Sequence, residues 1–239
     1  MTMDKSVLVA GDAGTRIEAP SIVFLVEADD LVLIDTSFGD VDRMDELHPG
    51  FEPRRDPGQT LDAALASEGY DPDDVDVVAL SHLDWDHCYG LDRFGDARIL
   101  VGRRELEYAI APYPTHAVRY EAKSIGRTPP WLTADLTPVE GETRICEGVR
   151  AFPTPGHTVG HQSFAIDTAG GTTVVAADAI PTRENLGGTY DAPFTRGLAM
   201  NDIEWWQSAH EVLGRADGPD RVLPGHEWGI LDDGPDRTG

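Results

Sequence analysis

Lysine is nearly missing from this chain of 239 residues: Lys5 and Lys123 are the only two, beside 17 Arg. Basic residues total 19 against 43 Asp and Glu, 28 of them Asp, and the formal net charge is −24. A field of that sign repels polyanions, so nucleic acid is not an expected partner. Cysteine is equally scarce. Cys88 and Cys146 are too few for a disulfide framework in a chain this long and read as ordinary thiols. No run of about 18 apolar residues occurs, and Met1 to Gly11 has no apolar stretch of signal-peptide length. The expectation is a cytoplasmic protein with no membrane partner.

What is present suits a folded domain. Hydrophobic residues make up 40% of the chain and aromatics 8%, so the acid is added to a core and does not replace one. The Asp-rich, Lys-poor surface fits a halophilic source. A GC-rich genome would also favour Arg over Lys, but it would not explain the charge.

Along the chain, SIVFLVE (21 to 27) and LVLID (31 to 35) are β-branched-rich runs joined at Ala28-Asp29-Asp30, which predicts a hairpin. A helix is expected over 60 to 68, and VDVVALS (75 to 81) is a short buried strand ending at His82. RILVG (98 to 102) leads to a helix at 103 to 110. Prolines then punctuate 111 to 131, an aperiodic segment that could serve as a lid. Strands follow near 143 to 152, 162 to 167 and 172 to 178, then a helix at 202 to 213 and a last strand at 221 to 225. No linker separates the halves, so the reading is one α/β domain over 1–239, made of two similar halves with helices outside.

The densest chemistry is Ser81-His82-Leu83-Asp84-Trp85-Asp86-His87. In an extended segment residues two apart share a face, so His82 and Asp84 can grip one ion. Where the chain turns, Asp86 and His87 can aim at a second, and two cations close together need anionic ligands between them. One ion with supporting carboxylates is the alternative. Pro155-Gly156-His157 and Pro224-Gly225-His226 each put a histidine in a Gly-bounded turn, and Asp178 ends the apolar strand VVAAD, where an unpaired carboxylate would be costly. Singly, His226 reads as well as a surface histidine and Asp178 as a helix cap. Their joint occurrence at strand ends favours a metal site.

These motifs resemble the metallo-β-lactamase superfamily, whose signature is His-x-His-x-Asp-His, a later PGHT-type histidine, a strand-end Asp and a late histidine. The resemblance runs from Leu33-Ile34-Asp35-Thr36 to Pro224-Gly225-His226. It implies a four-layer αβ/βα sandwich with the metal site at the strand ends between the sheets, and two divalent ions, zinc by family habit. His82, Asp84 and His157 would hold the first ion and Asp86, His87 and His226 the second. Asp178 would bridge the two, and Asp35 would brace the ligands. More narrowly, SHLDWDHCYGLDRF, RRELEYAIAPYP and AADAIPTREN are similar to the N-acyl homoserine lactonase branch. Members of the superfamily often dimerise, so a homodimer is a further expectation.

Three departures stand out. Asp84 replaces the second histidine of the motif, which adds charge and a hard oxygen and favours Mn²⁺ or Fe²⁺ relative to zinc. Pro181 stands where lactonases of this type carry Tyr, so a phenol would come from elsewhere, Tyr190 or Tyr113. Ala177 replaces the usual Gly before Asp178, a change expected to be without consequence. His161 is read as structural or as a support behind the ligands, Cys88 as packing under the site, and one of Trp205 and Trp206 as turned away from the core.

The implied reaction is hydrolysis of a small neutral lactone or ester, an N-acyl homoserine lactone first, by hydroxide generated between the ions with Asp86 as proton shuttle. The charge disfavours nuclease substrates. The short stretch after His226 disfavours glutathione thioesters, and the lack of an export signal disfavours a β-lactamase. Two alternatives stay open. A redox di-iron protein like the metal domain of flavodiiron reductases would suit Asp84, although no flavodoxin-like stretch follows. The other is a non-catalytic metal-binding protein on the same fold.

Overall fold

The chain begins with a short antiparallel ladder, β1 (Thr2–Asp4) against β2 (Arg16–Glu18), in which Met3 is buried. In the computed structural model residues 1–186 and 194–232 are described. They fall into two compact units, one of Met1–Pro20 with the chain from Gly141 onward, the other of Ser21–Glu140.

In the Ser21–Glu140 unit, β3 (Phe24–Glu27) and β4 (Leu31–Ile34) form the expected hairpin, with Phe24 opposite Ile34. Two helices follow, α1 (Val41–Leu47) and α2 (Leu61–Ser67), then β5 (Val77–Ala79), β6 (Arg98–Gly102), α3 (Arg103–Ile110) and β7 (Leu136–Val139). The sheet order is β3-β4-β5-β6-β7, parallel from β4 to β7. Its central strands are nearly unbroken apolar runs because a parallel strand covered on both faces has no side to spare for polar residues. That arrangement puts Asp35, just after β4, beside Ser81 and His82, just after β5. Carboxyl ends of parallel strands are where open α/β sheets place ligands. The helix α1 escaped the sequence reading because only Met44 is buried on it, which leaves no apolar period; Asp40 caps it by accepting from Arg43 N at 3.0 Å. Segment 111–131 is irregular, with single turns of 3₁₀ helix at Pro114–His116 and Lys123–Ile125. It is nevertheless anchored, since Ala117, Tyr120, Ala122 and Trp131 are buried.

In the other unit the single run expected over 143–152 is instead two strands, β8 (Thr143–Cys146) and β9 (Val149–Pro153). Gly148, at φ 72°, makes the turn between them. Next come β10 (Gln162–Thr168), β11 (Gly171–Ala177), α4 (Asp202–Arg215), β12 (Val222–Pro224) and α5 (Gly229–Asp232). The order is β12-β11-β10-β9-β8, antiparallel except that β12 runs parallel to β11. The two sheets therefore share strand number but not pairing sense. Asn201 caps α4 by accepting from Ile203 N and Glu204 N. Trp205, Ala209 and Val212 of α4 pack with Phe152, Val174 and Val222. Trp206 faces away, half-exposed, against Phe194 and His210, as helical spacing requires. No helix among the described residues is long and apolar enough to cross a membrane.

Candidate metal centre

Within the Ser21–Glu140 unit, Asp35 organises the ligands after β5. Its Oδ1 accepts from Ser81 N at 2.7 Å and its Oδ2 from Ser81 Oγ at 2.6 Å. Ser81 Oγ also lies 2.9 Å from His82 Nδ1, and Asp35 Oδ2 lies 2.9 Å from His87 Nδ1. Proton counting then fixes both rings. A carboxylate only accepts, so Ser81 spends its single proton on Asp35 and must accept from His82 Nδ1–H, while His87 Nδ1–H donates to Asp35. In its neutral form each ring then carries the acceptor nitrogen at Nε2. His82 Nε2 lies 3.5 Å from Asp84 Oδ2, His87 Nε2 lies 3.8 Å from Asp86 Oδ2, and the two ring centres are 4.1 Å apart. All four side chains are buried. Asp35 holds φ 61°, a left-handed conformation uncommon for residues other than glycine but one that Asp adopts more readily than most.

The second unit repeats the device. His157 Nδ1 donates to Leu198 O at 2.7 Å, and His226 Nδ1 donates to Pro20 O at 2.6 Å. Their Nε2 atoms face Asp178, His157 at 3.3 Å from Oδ2 and His226 at 3.1 Å from Oδ1. Both glycines of the Pro-Gly-His turns are demanded by close approach. A Cβ on Gly156 would stand 2.2 Å from Trp205 N, and one on Gly225 would stand 2.7 Å from Asp178 Oδ1. Ala177 sits at φ 45°, fully buried. The expectation that Ala for Gly is without consequence is therefore corrected: an L-residue there costs about 1–2 kcal/mol of backbone strain.

The donor set fits divalent cations on this chemistry alone. Four imidazoles have each committed Nδ1–H to an acceptor, which fixes the ring orientation as in metal sites, and each turns Nε2 toward a carboxylate, His226 Nε2 lying also 3.3 Å from Asp178 Oδ2. Two facing acceptors repel unless a proton or a cation lies between them.

Other sequence expectations resolve as follows. Asp84, the residue out of pattern, receives Arg119: Nε lies 3.0 Å from Oδ1 and 2.9 Å from Oδ2, and Nη2 donates to Oδ2. Burial opposes the Arg119 charge, but the adjoining Asp84 carboxylate outweighs it and holds the guanidinium above its usual range. Nothing in the sequence near residue 84 signals Arg119. Cys88 packs under the motif with Sγ 3.3 Å from Asp84 O, and burial, then the charge of Asp84, pushes its thiol well up, which makes it inert. His161 is tied at Nδ1 to Thr154 Oγ1, 2.9 Å away. Tyr113 is 66% exposed, and Tyr190 lies outside the described residues. Sequence reasoning also missed a buried network beside the motif. His48 stacks on Trp85 at 4.1 Å and meets Glu121 Oε1 at 2.9 Å, and Glu121 also accepts from Tyr89 OH.

Residues 15–226 match the metallo-beta-lactamase superfamily, and the chain belongs to it. A probable metallo-hydrolase of Mycobacterium tuberculosis is 33% identical over 190 residues, 72% of this chain and 60% of the relative. An N-acyl homoserine lactonase of Bacillus thuringiensis is 34% identical over 142 residues, 59% of this chain and 53% of the relative. The chain thus spans little more than half the length of the curated relatives it matches. The structure of an N-acyl homoserine lactone hydrolase with N-hexanoyl-L-homoserine at its catalytic metal centre superposes with a TM-score of 0.78, covering 98% of this chain and 92% of the other at 23% identity. That likeness establishes the shared fold.

Proposed function

We propose that the protein is a metal-dependent hydrolase that opens a small neutral lactone or ester, with N-acyl homoserine lactones as the first candidates. The observation that carries the reading is the state of four imidazoles, His82, His87, His157 and His226, each with Nδ1–H spent on an acceptor. Such rings are prepared to bind divalent ions through Nε2. In the assignment the family resemblance implies, His82, Asp84 and His157 would hold one ion and Asp86, His87 and His226 the other, with Asp178 shared. Two such ions, when bound, would supply water of lowered pKa and an electrophile for a carbonyl oxygen.

The chain's own residues supply the rest. Asp35 and Ser81 keep the rings of His82 and His87 from turning, so their nitrogens need no reorganisation during reaction. Asp86, whose Oδ2 stands 3.8 Å from His87 Nε2, is the proposed proton carrier between nucleophile and leaving alkoxide. Tyr190 remains the proposed phenol donor to the carbonyl. The net charge of −24 favours a neutral substrate over an anionic one.

The test is ring opening of N-acyl homoserine lactones followed with a pH indicator, on protein stripped of metal and reloaded separately with Zn²⁺, Mn²⁺ and Fe²⁺, in dilute buffer and in molar KCl. Metal-dependent turnover that is lost in Asp178→Ala is the expected result. Silence with every ion, while simple aryl esters are hydrolysed, would move the substrate away from lactones; silence on both would overturn the hydrolase reading.

A further inference from the structure

The carboxylate that breaks the family's histidine pattern does not act alone. Asp84 and Arg119 are 35 positions apart, yet the guanidinium lies on both carboxylate oxygens, Nε at 3.0 and 2.9 Å and Nη2 also on Oδ2. The pair is enclosed, with side-chain exposures of 14% for Arg119 and 9% for Asp84. It is also tied through the main chain, because Trp85 N donates to Arg119 O at 2.9 Å and Arg119 N to His116 O at 3.0 Å. The two residues after the arginine, Tyr120 and Glu121, are fully buried, which anchors its backbone on that side. A planar fork on a carboxylate is the strong, geometrically specific form of this contact.

Charge and lone pairs give the pair its meaning. Asp84 with Arg119 sums to zero, the charge a neutral imidazole would bring to the same place. A carboxylate offers about four lone-pair directions; here the single Nε–H is shared between Oδ1 and Oδ2 and an Nη2–H lies on Oδ2, so Oδ2 is the occupied oxygen and Oδ1 the more open one. We propose that Arg119 is a positioning residue for the metal centre: it turns Asp84 into a charge-compensated, single-oxygen ligand that stands in for the missing histidine. Without Arg119 the same carboxylate would be a full anion able to chelate through both oxygens, and it would hold its ion more tightly. The extra hardness read from Asp84 in the sequence is then largely cancelled, which removes the one observation favouring iron redox chemistry over hydrolysis.

This inference rests on the metal centre proposed above but not on a lactone substrate, so its test uses no substrate. Wild type and Arg119→Met are loaded with Zn²⁺ and titrated with a chelator, and with Co²⁺ for visible spectra. The expected result is two ions per chain in both, with one of them on the order of ten-fold harder to remove from Arg119→Met. Its Co²⁺ band should weaken as a second Asp84 oxygen raises the coordination number. Equal chelator curves and equal spectra would overturn the role of Arg119, as would easier loss of metal from the variant. A wild type that takes up no ion would instead overturn the metal centre itself. Should Arg119→Met fail to fold, Arg119→Lys keeps the charge without the fork. It should show the same Co²⁺ change with a smaller change in affinity, and an unaltered spectrum would again contradict the proposal.

Discussion

Gly156 and the backbone of Trp205 approach so closely that a Cβ on the glycine would meet Trp205 N at 2.2 Å and its Cα at 2.3 Å. The first turn of α4 is thereby pressed against the loop that carries His157. Both Met200 N and Asn201 N donate to Gly156 O, at 2.7 and 3.0 Å, which locks the loop to the helix start. Gly156→Ala cannot be absorbed by a side-chain rotation, because the obstacle is main chain. The expected outcome is a loss of roughly 1–3 kcal/mol of stability together with weakened metal binding, measured by denaturant unfolding and metal content. A variant as stable and as metal-rich as wild type would show that the loop has room to move.

Ala177 is the converse case. At φ 45° it carries about 1–2 kcal/mol of strain that glycine would not. Glycine, however, loses about 0.5–1 kcal/mol more in chain entropy on folding and gives up a fully buried methyl worth about 0.8 kcal/mol. Ala177→Gly should therefore unfold within about 0.5 kcal/mol of wild type, without change in metal stoichiometry. A loss of about 1.5 kcal/mol or more, the cost of the same change at an unstrained buried position, would contradict the strain assignment.

Asp35 touches no proposed reacting atom, but it holds His87 directly and His82 through Ser81. In Asp35→Asn the amide NH2 must face a partner that is itself a donor, Ser81 N–H on one side or the Ser81 hydroxyl and His87 Nδ1–H on the other, and His87 loses its fixed tautomer. Metal affinity should fall about 10- to 100-fold while the fold persists. Retention of wild-type affinity in a chelator titration would mean that the Nδ1 contacts are incidental.

The buried network of Glu121 gives a pH dependence. Burial alone would raise the Glu121 carboxyl, but hydrogen bonds from His48 and Tyr89 outweigh it and hold the group below its usual range. A depressed folded-state value means that its stabilisation is complete above the unfolded pKa of about 4.3 and disappears as pH falls through the lower, folded value. The stability gap between wild type and Glu121→Gln should therefore be constant near neutrality and shrink in acid. Chemical denaturation of metal-stripped protein at a series of pH values measures it, and a gap that widened on acidification would reverse the assignment.

Local pattern made some parts of the molecule legible and left others hidden. The apolar runs of β4, β5 and β6 and the helical period of α4 announce themselves because burial imposes them residue by residue. Strand-end positions of His82, Asp178 and His226 were readable for the same reason, and the bracing role of Asp35 came through resemblance. Arg119 and Glu121 were not readable. Their partners, Asp84 and His48, lie 35 and 73 positions away, and a charge pair closed by tertiary folding leaves no periodicity in either segment. Ala177 was misjudged because side-chain size is visible in a sequence and a backbone angle is not. The 143–152 run was split by a Gly148 turn whose two flanks are equally strand-like.

The most direct test of the whole account is the metal content of the purified protein, measured by elemental analysis beside Asp178→Ala. The expected result is two divalent ions per chain in wild type and fewer than one in the variant. A wild type that carries no ion, and takes up none when dialysed against Zn²⁺, Mn²⁺ or Fe²⁺, would contradict the central claim that these imidazoles and carboxylates are metal ligands.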